Sequence, residues 1–278
     1  MAGLGSMEQD LLSLEEIQQE AFVILSAFAD FCERHDLYYS LAGGTLLGAI
    51  RHKGFIPWDD DVDVNMPRPD YERLLTMEET FEKETGFKFN RYGKDKKCVT
   101  LLKIVNPAIR VQHGNGSTRK EYYLWIDVIP IDGISGGTEE IVKIYSDIAS
   151  LRKFMCISET RWFLGETPFR KCVRFIISPF VLLFHIDKAC NRKMEAIAKK
   201  TDFGAADTVA CITWGLYGPR ELMDKEGYME SVEVSFCGKS FKSMACWDSY
   251  LSSLYGDYMQ LPPEDQRDSH AMLAWRAD

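Results

Sequence analysis

Long apolar runs are missing from this sequence: none reaches the ~18 residues of a membrane-spanning helix, and no charged segment followed by an apolar one opens the chain as a secretion signal would. Positive charge is also short. Lys and Arg total 33 against 42 Asp and Glu, a formal net charge of -9, which excludes a broad nucleic-acid-binding surface and leaves room only for local basic patches. A nucleotide would enter as a small molecule, with no nucleic acid as partner. Cys-x-x-Cys pairs are absent: the eight cysteines (Cys32, Cys98, Cys156, Cys172, Cys190, Cys211, Cys237, Cys246) are scattered, which argues against a zinc site and a disulfide framework. A reducing cytoplasm fits that usage. Internal repeats and low-complexity linkers are lacking as well.

What is present is a chain of 278 residues, long enough for a full core and suited to one α/β domain or a catalytic core with a helical addition. Residues 1–6, MAGLGS, read as an appendage, with Met7 as the natural start. Ser13 and Glu16 form a capping box, and Leu14, Ile17, Ala21, Ile24, Phe28 and Phe31 recur at helical spacing, predicting a helix to about His35. Strands are expected over residues 37–42 and 61–66, with a short helix over 46–51 between them and a longer one over 70–84 after Pro67-Arg68-Pro69. Short strands follow over 87–92, 98–105 and 108–112, separated by Gly, Lys-Asp and Asn-Pro turn signals. The most strand-like run covers 122–131 and ends at an Asp132-Gly133 turn. Helices are expected over 138–156, 187–201 and 245–255, with strand and loop over 208–214 and 232–241.

Residues 43–64, GGTLLGAIRHKGFIPWDDDVDV, carry the chemistry. Val62, Val64 and Met66 alternate with polar residues, so Asp61 and Asp63 should project from one face of a strand whose other face is held in a core. Oxygen ligands at that spacing suit a hard cation, Mg²⁺ or Mn²⁺. The Gly43-Gly44-Thr45 turn leads into a short helix whose first N–H groups can face a phosphate, and Arg51 and Lys53 are cations placed to meet phosphate oxygens. Asp127 is the one charge in YYLWIDVIPI: either a residue satisfied by backbone donors or a third carboxylate facing Asp61 and Asp63. Lys103 is a further phosphate candidate, and if the ligand carries a quaternary ammonium, Trp58, beside the carboxylates, is the first choice to meet it.

Gly-Gly followed by Asp-x-Asp on a strand resembles the nucleotidyltransferase superfamily. The whole run GGTLLGAIRHKGFIPWDDDVDV, with the closing Tyr255-Gly-Asp-Tyr258 and the later His270, resembles the LicD family of phosphotransferases, which is related to fukutin-like proteins. The resemblance is weakest over residues 135–218, and Cys237 stands where an acidic residue is expected before the glycine of Phe-x-Gly. It implies an α/β (α+β) fold: a nucleotidyltransferase-like mixed sheet core over residues 7–157, an added helical segment over 158–206, and a C-terminal part over 207–278 packing on the core. Within the helical segment, residues 161–186 combine Arg161, Arg170, Lys171 and Arg174 with the run FIISPFVLLFHI, either a buried hairpin or a peripheral membrane contact.

The resemblance implies transfer of phosphocholine from CDP-choline to a sugar hydroxyl of a cell-envelope glycan, such as a lipid-linked teichoic acid or capsule, with CMP leaving, at the inner face of the cell membrane. Asp61, Asp63 and Asp127 would be catalytic and hold the metal. Gly43, Gly44, Thr45, Arg51, Lys53, Trp58, Lys103 and His270 would bind substrate. CDP-glycerol or CDP-ribitol donors, a true nucleotidyltransferase using an NTP, and a non-catalytic binding protein remain as alternatives, the last disfavoured because no carboxylate of the motif is lost.

Overall fold

The computed structural model describes residues 11–90, 101–113, 120–159, 186–267 and 272–277. The chain divides into two units. The first takes the described parts of Met1–Asn90, Leu102–Pro130 and Glu226–Asp278; the second takes those of Arg91–Leu101 and Ile131–Lys225. The fold class is α+β, a sheet core flanked by helices, as expected.

In the first unit, α1 (Leu14–Arg34) begins at the expected reciprocal capping box of Ser13 and Glu16 and buries Ile17, Ala21, Ile24, Leu25, Phe28 and Phe31. The first strand, β1, is only Ser40–Leu41. The expected strand over 37–42 is shorter because the N–H of Leu37 goes to the carbonyl of Cys32 and that of Tyr38 to the Asp70 carboxylate, so neither joins a ladder. Helix α2 (Gly43–Arg51) follows, and β2 (Asp63–Pro67) pairs antiparallel with β1. The helix expected over 70–84 is two, α3 (Arg68–Thr76) and α4 (Glu78–Thr85), broken at Met77.

Next come β3 (Lys88–Asn90), β4 (Leu102–His113) and β5 (Lys120–Ile134). The two strands expected on either side of Asn106-Pro107 are one strand. Pro107, which has no N–H to donate, sits in an irregularity of the β4–β5 ladder between Asn106 and Arg110, where Asn106 Oδ1 accepts the Ala108 N–H. Asp132-Gly133 is likewise not a turn, since both residues pair with the next strand.

The second unit holds that end of β5 against β6 (Thr208–Ala210), which pairs with β7 (Met223–Asp224). Helices α5 (Thr138–Glu159) and α6 (Ile186–Ala198) close a core of Ile134, Tyr145, Ile148, Met194, Ala198 and Ile212. The basic and apolar segment over 161–186 lies outside the described residues except for Ile186. Among the described residues no helix is long and apolar enough to cross a membrane.

The chain then returns to the first unit. The hairpin β8 (Ser231–Phe236) and β9 (Lys239–Met244) reaches β1 through Met244 N–H, donated to Ser40 Oγ, and Lys242 N–H, donated to Tyr39 Oη. Helix α7 (Trp247–Tyr255) and β10 (Leu273–Arg276) complete it. The order β1-β2-β5-β4-β10 puts β2 beside β5, and β4 carries β3 and β10 on successive parts of its other edge.

Candidate active site

Alternation places the site on one face of this sheet. Val62, Val64 and Met66 are buried on one side of the β2 segment, as Leu124, Ile126 and Val128 are in β5, so Asp61, Asp63, Trp125 and Asp127 share the opposite side. The strand begins at Asp63; Asp61 belongs to the segment that enters it. Asp127 N–H donates to Val62 O at 2.8 Å, which joins the two carboxylate-bearing stretches by backbone.

Gly43 and Gly44 open α2, Gly43 at φ 50°, a conformation costly for any residue with a Cβ. A Cβ on Gly44 would meet Asp59 Oδ2 at 2.8 Å and one on Gly43 would meet Asp63 Oδ2 at 3.2 Å, so both glycines make room for carboxylates at the helix N-terminus. The helix dipole favours that charge. Gly43 N–H donates to Tyr250 Oη at 3.3 Å, and Thr45 Oγ1 accepts the Asp63 N–H at 2.9 Å; Thr45 thus fixes the backbone of the strand carrying the carboxylate.

Asp63 keeps an opening to solvent yet lies deep among protein atoms. That burial, then the charges of Asp61 and Asp127, push its carboxyl well above the usual carboxylate range, while Lys103 pulls the other way. Asp127 is held from both sides of its own sheet face. Its Oδ2 accepts from Lys103 Nζ and from Trp125 Nε1, each at 3.0 Å, and its buried Oδ1 lies 2.8 Å from the ammonium without accepting a hydrogen bond. Lys103 and Asp127 are direct partners in the β4–β5 register, and the ammonium also rests 3.9 Å from the centre of the Trp125 ring. The backbone-satisfied reading of Asp127 is thereby replaced by an ion pair on the face of the other carboxylates.

Among the described residues no three His, Cys, Asp or Glu side chains stand together at metal-ligand spacing. The donor set nonetheless fits a hard divalent cation: it is all oxygen, the Asp63 carboxyl is raised by burial and then by Asp61 and Asp127, and buried Asp127 Oδ1 accepts no hydrogen bond.

The remaining candidates sit in different settings. Arg51, at the end of α2, donates from Nη1 to the carbonyls of Tyr258 (2.6 Å) and Gln260 (3.3 Å), so it ties down the Tyr-Gly-Asp-Tyr segment. Lys53 is exposed, with φ 59°, and its carbonyl accepts the Cys237 N–H. Trp58 has the Arg267 guanidinium 5.0 Å from its ring centre and His52 edge-on. Burial, then Arg51, lower the His52 pKa. His270 lies outside the described residues.

Sequence reasoning missed several supports. Gln18 on α1 donates to the carbonyl of Asp59 at 2.7 Å, Tyr250 holds Gly43, and Asp60, 2 % exposed, accepts the Met272 N–H. Gln18 is the one that left a sign, as a polar residue bordering an otherwise apolar helix face.

Residues 36–136 match the family model described as LicD/FKTN/FKRP, nucleotidyltransferase domain. The chain is 28% identical over 271 residues, 95% of its own length and 98% of the other's, to the lipopolysaccharide cholinephosphotransferase LicD of Haemophilus influenzae. Shorter likenesses join it to uncharacterized proteins of Rickettsia typhi (35% over 63 residues, 23% of this chain and 18% of that one) and Rickettsia prowazekii (34% over 71 residues, 26% and 24%). The matched segment contains the glycine-opened helix, the Asp-x-Asp stretch, Lys103 and Asp127, and the end-to-end likeness carries the similarity to the LicD family beyond that segment over nearly the whole chain.

Proposed function

We propose that the chain transfers phosphocholine from CDP-choline to a sugar hydroxyl of a cell-envelope glycan and releases CMP, with Mg²⁺ or Mn²⁺ held by Asp61, Asp63 and Asp127. The observation that carries this reading is the likeness to a lipopolysaccharide cholinephosphotransferase over nearly the whole of both chains. The carboxylate cluster facing a helix N-terminus supports it.

In this reading the acceptor oxygen attacks the phosphorus bearing choline, the bond from that phosphorus to the CMP oxygen breaks, and the hydroxyl proton passes to a carboxylate of the cluster. A divalent cation bound there supplies neutralisation of the diphosphate and a fixed orientation for it. The chain's own part is positioning: in this reading the start of α2 and the Lys103 and Arg267 cations would turn to phosphate charge, and Arg51 holds the 258–260 segment in place. A glycan acceptor and a CDP-linked donor are then the two partners.

Donor choice has a second reading. Both aromatic faces nearest the carboxylates already carry a cation, Arg267 on Trp58 and Lys103 on Trp125. Rings that accept these cations can accept choline in exchange, but the same contacts favour a polar CDP-alditol head group if neither cation moves.

The test combines products with affinities. With CDP-choline, a purified envelope glycan and Mg²⁺, CMP and glycan-bound phosphocholine should form in equal amounts; pyrophosphate formed from CTP in place of CMP would move the chain to the nucleotidyltransferase reading. Calorimetry should give CDP-choline at least ~10-fold tighter binding than CDP-glycerol or CDP-ribitol. Equal affinities would sink the choline assignment and leave the metal site standing.

A further inference from the structure

Lys103 is placed unlike a surface lysine. Only a fifth of its side chain is exposed, its ammonium bridges both oxygens of Asp127, and that ammonium lies over the Trp125 ring, 3.9 Å from its centre. Its charge also favours the ionised form of Asp63, against burial and the other carboxylates. Asp127 does not depend on Lys103 for its orientation. Trp125 Nε1 holds Oδ2 and the backbone N–H is held by Val62, so the carboxylate stays aimed when the ammonium leaves. The oxygen that Lys103 touches without a hydrogen bond, Oδ1, is the one open to a stronger cation.

We propose that Lys103 is an exchangeable counter-cation: it neutralises Asp127 in the metal-free site and, when a divalent cation takes Asp127 Oδ1, moves off to a phosphate oxygen of the nucleoside diphosphate donor. This inference rests on the metal reading above. Two like charges cannot share one carboxylate oxygen in a partly buried site, and the side chain has the length and freedom to turn toward an anion. The same residue thus opposes metal binding alone and favours it once a diphosphate is present, which makes the two ligands bind together.

The test needs no activity. Mn²⁺ binding is followed by the loss of the free-ion electron paramagnetic resonance signal, and binding of CDP, the part shared by all the donors considered, by calorimetry with saturating Mg²⁺. Lys103→Met should bind Mn²⁺ about 5-fold tighter than the parent without nucleotide and CDP about 5-fold weaker, while Lys103→Arg keeps the parent's Mn²⁺ affinity. Unchanged or weaker Mn²⁺ binding in Lys103→Met, in a parent that binds Mn²⁺ and loses it on Asp61→Asn, overturns the exchange and leaves the metal site intact. A parent that binds no Mn²⁺ overturns both.

A parent-chain measurement covers the case in which Lys103→Met does not fold. Mg²⁺ should change tryptophan emission as the ammonium leaves the Trp125 ring, and Trp125→Phe should lose that change. A Mg²⁺ titration with no such difference, in a parent that binds the ion, overturns the exchange.

Discussion

Substituting Asp63 by Asn removes a charge from a place where burial, Asp61 and Asp127 all oppose it. Under the proposed function, Asp63→Asn and Asp61→Asn should each lower transfer by about 100-fold or more, because the amide keeps the shape and loses the charge that holds the cation. Stability should not fall with activity. Relief of the repulsion in Asp63→Asn should hold or raise the unfolding free energy, by about 1 kcal/mol. Transfer rates and urea unfolding on the same preparations check this; full activity with Mg²⁺, or unfolding of both variants, would remove the assignment. At this scale the two carboxylates were legible because Val62, Val64 and Met66 alternate with them. The glycines were legible as a close approach to negative charge, although the atoms against them here are oxygens of Asp59 and Asp63. Arg51 was legible as a cation and not as the clamp on Tyr258 and Gln260 that it is.

Among the elements, the β8–β9 hairpin turns through two residues with positive φ, Cys237 at 50° and Gly238 at 81°. That geometry suits Asn-Gly or Asp-Gly, and cysteine there is strained, which gives a physical sense to the acidic residue expected at this position. Cys237→Asn should stabilise the chain by about 0.5–1 kcal/mol, and Cys237→Val, with a branched Cβ, should destabilise it by at least as much. Urea midpoints of the two variants and the parent decide, and a stable Cys237→Val would refute the strain. Local signals served well where they act alone, as in the α1 capping box. They failed where another element competes for the same backbone group, as when Asp70 takes the Tyr38 N–H from the first strand, or where a proline is absorbed by an irregularity instead of ending a strand.

For the whole molecule, the response of stability to pH has a contribution from outside the candidate site. Burial lifts the Glu221 carboxyl from an ordinary 4.5 to about 7, although the Tyr217 N–H and Arg152 draw it down. Between these values the unfolded chain has released the proton that the folded chain keeps. Stability from this group is therefore full below about pH 4.5, declines as pH rises to about 7 and is flat above, for a total loss of about 3 kcal/mol. Glu221→Gln, which keeps an acceptor for the Tyr217 N–H, should lose that slope and be more stable than the parent at pH 8. Urea midpoints from pH 4.5 to 8 check it, and parallel curves for the two chains would refute it.

Composition, periodicity and the 43–64 run by themselves determined the α+β class, the helix at the start, the alternation that puts Asp61 and Asp63 on one side of the chain as it enters β2, and the resemblance to the LicD family, because each is written within a few residues of sequence or in overall counts. Only the tertiary structure decided what those residues touch. Lys103 meets Asp127 across 24 residues, Gln18 meets Asp59 across 41, and Gly43 meets Tyr250 across 207. No local period encodes such separations. Strand register and the return of the C-terminal segment set them, and these follow from burying the apolar faces of the whole chain together.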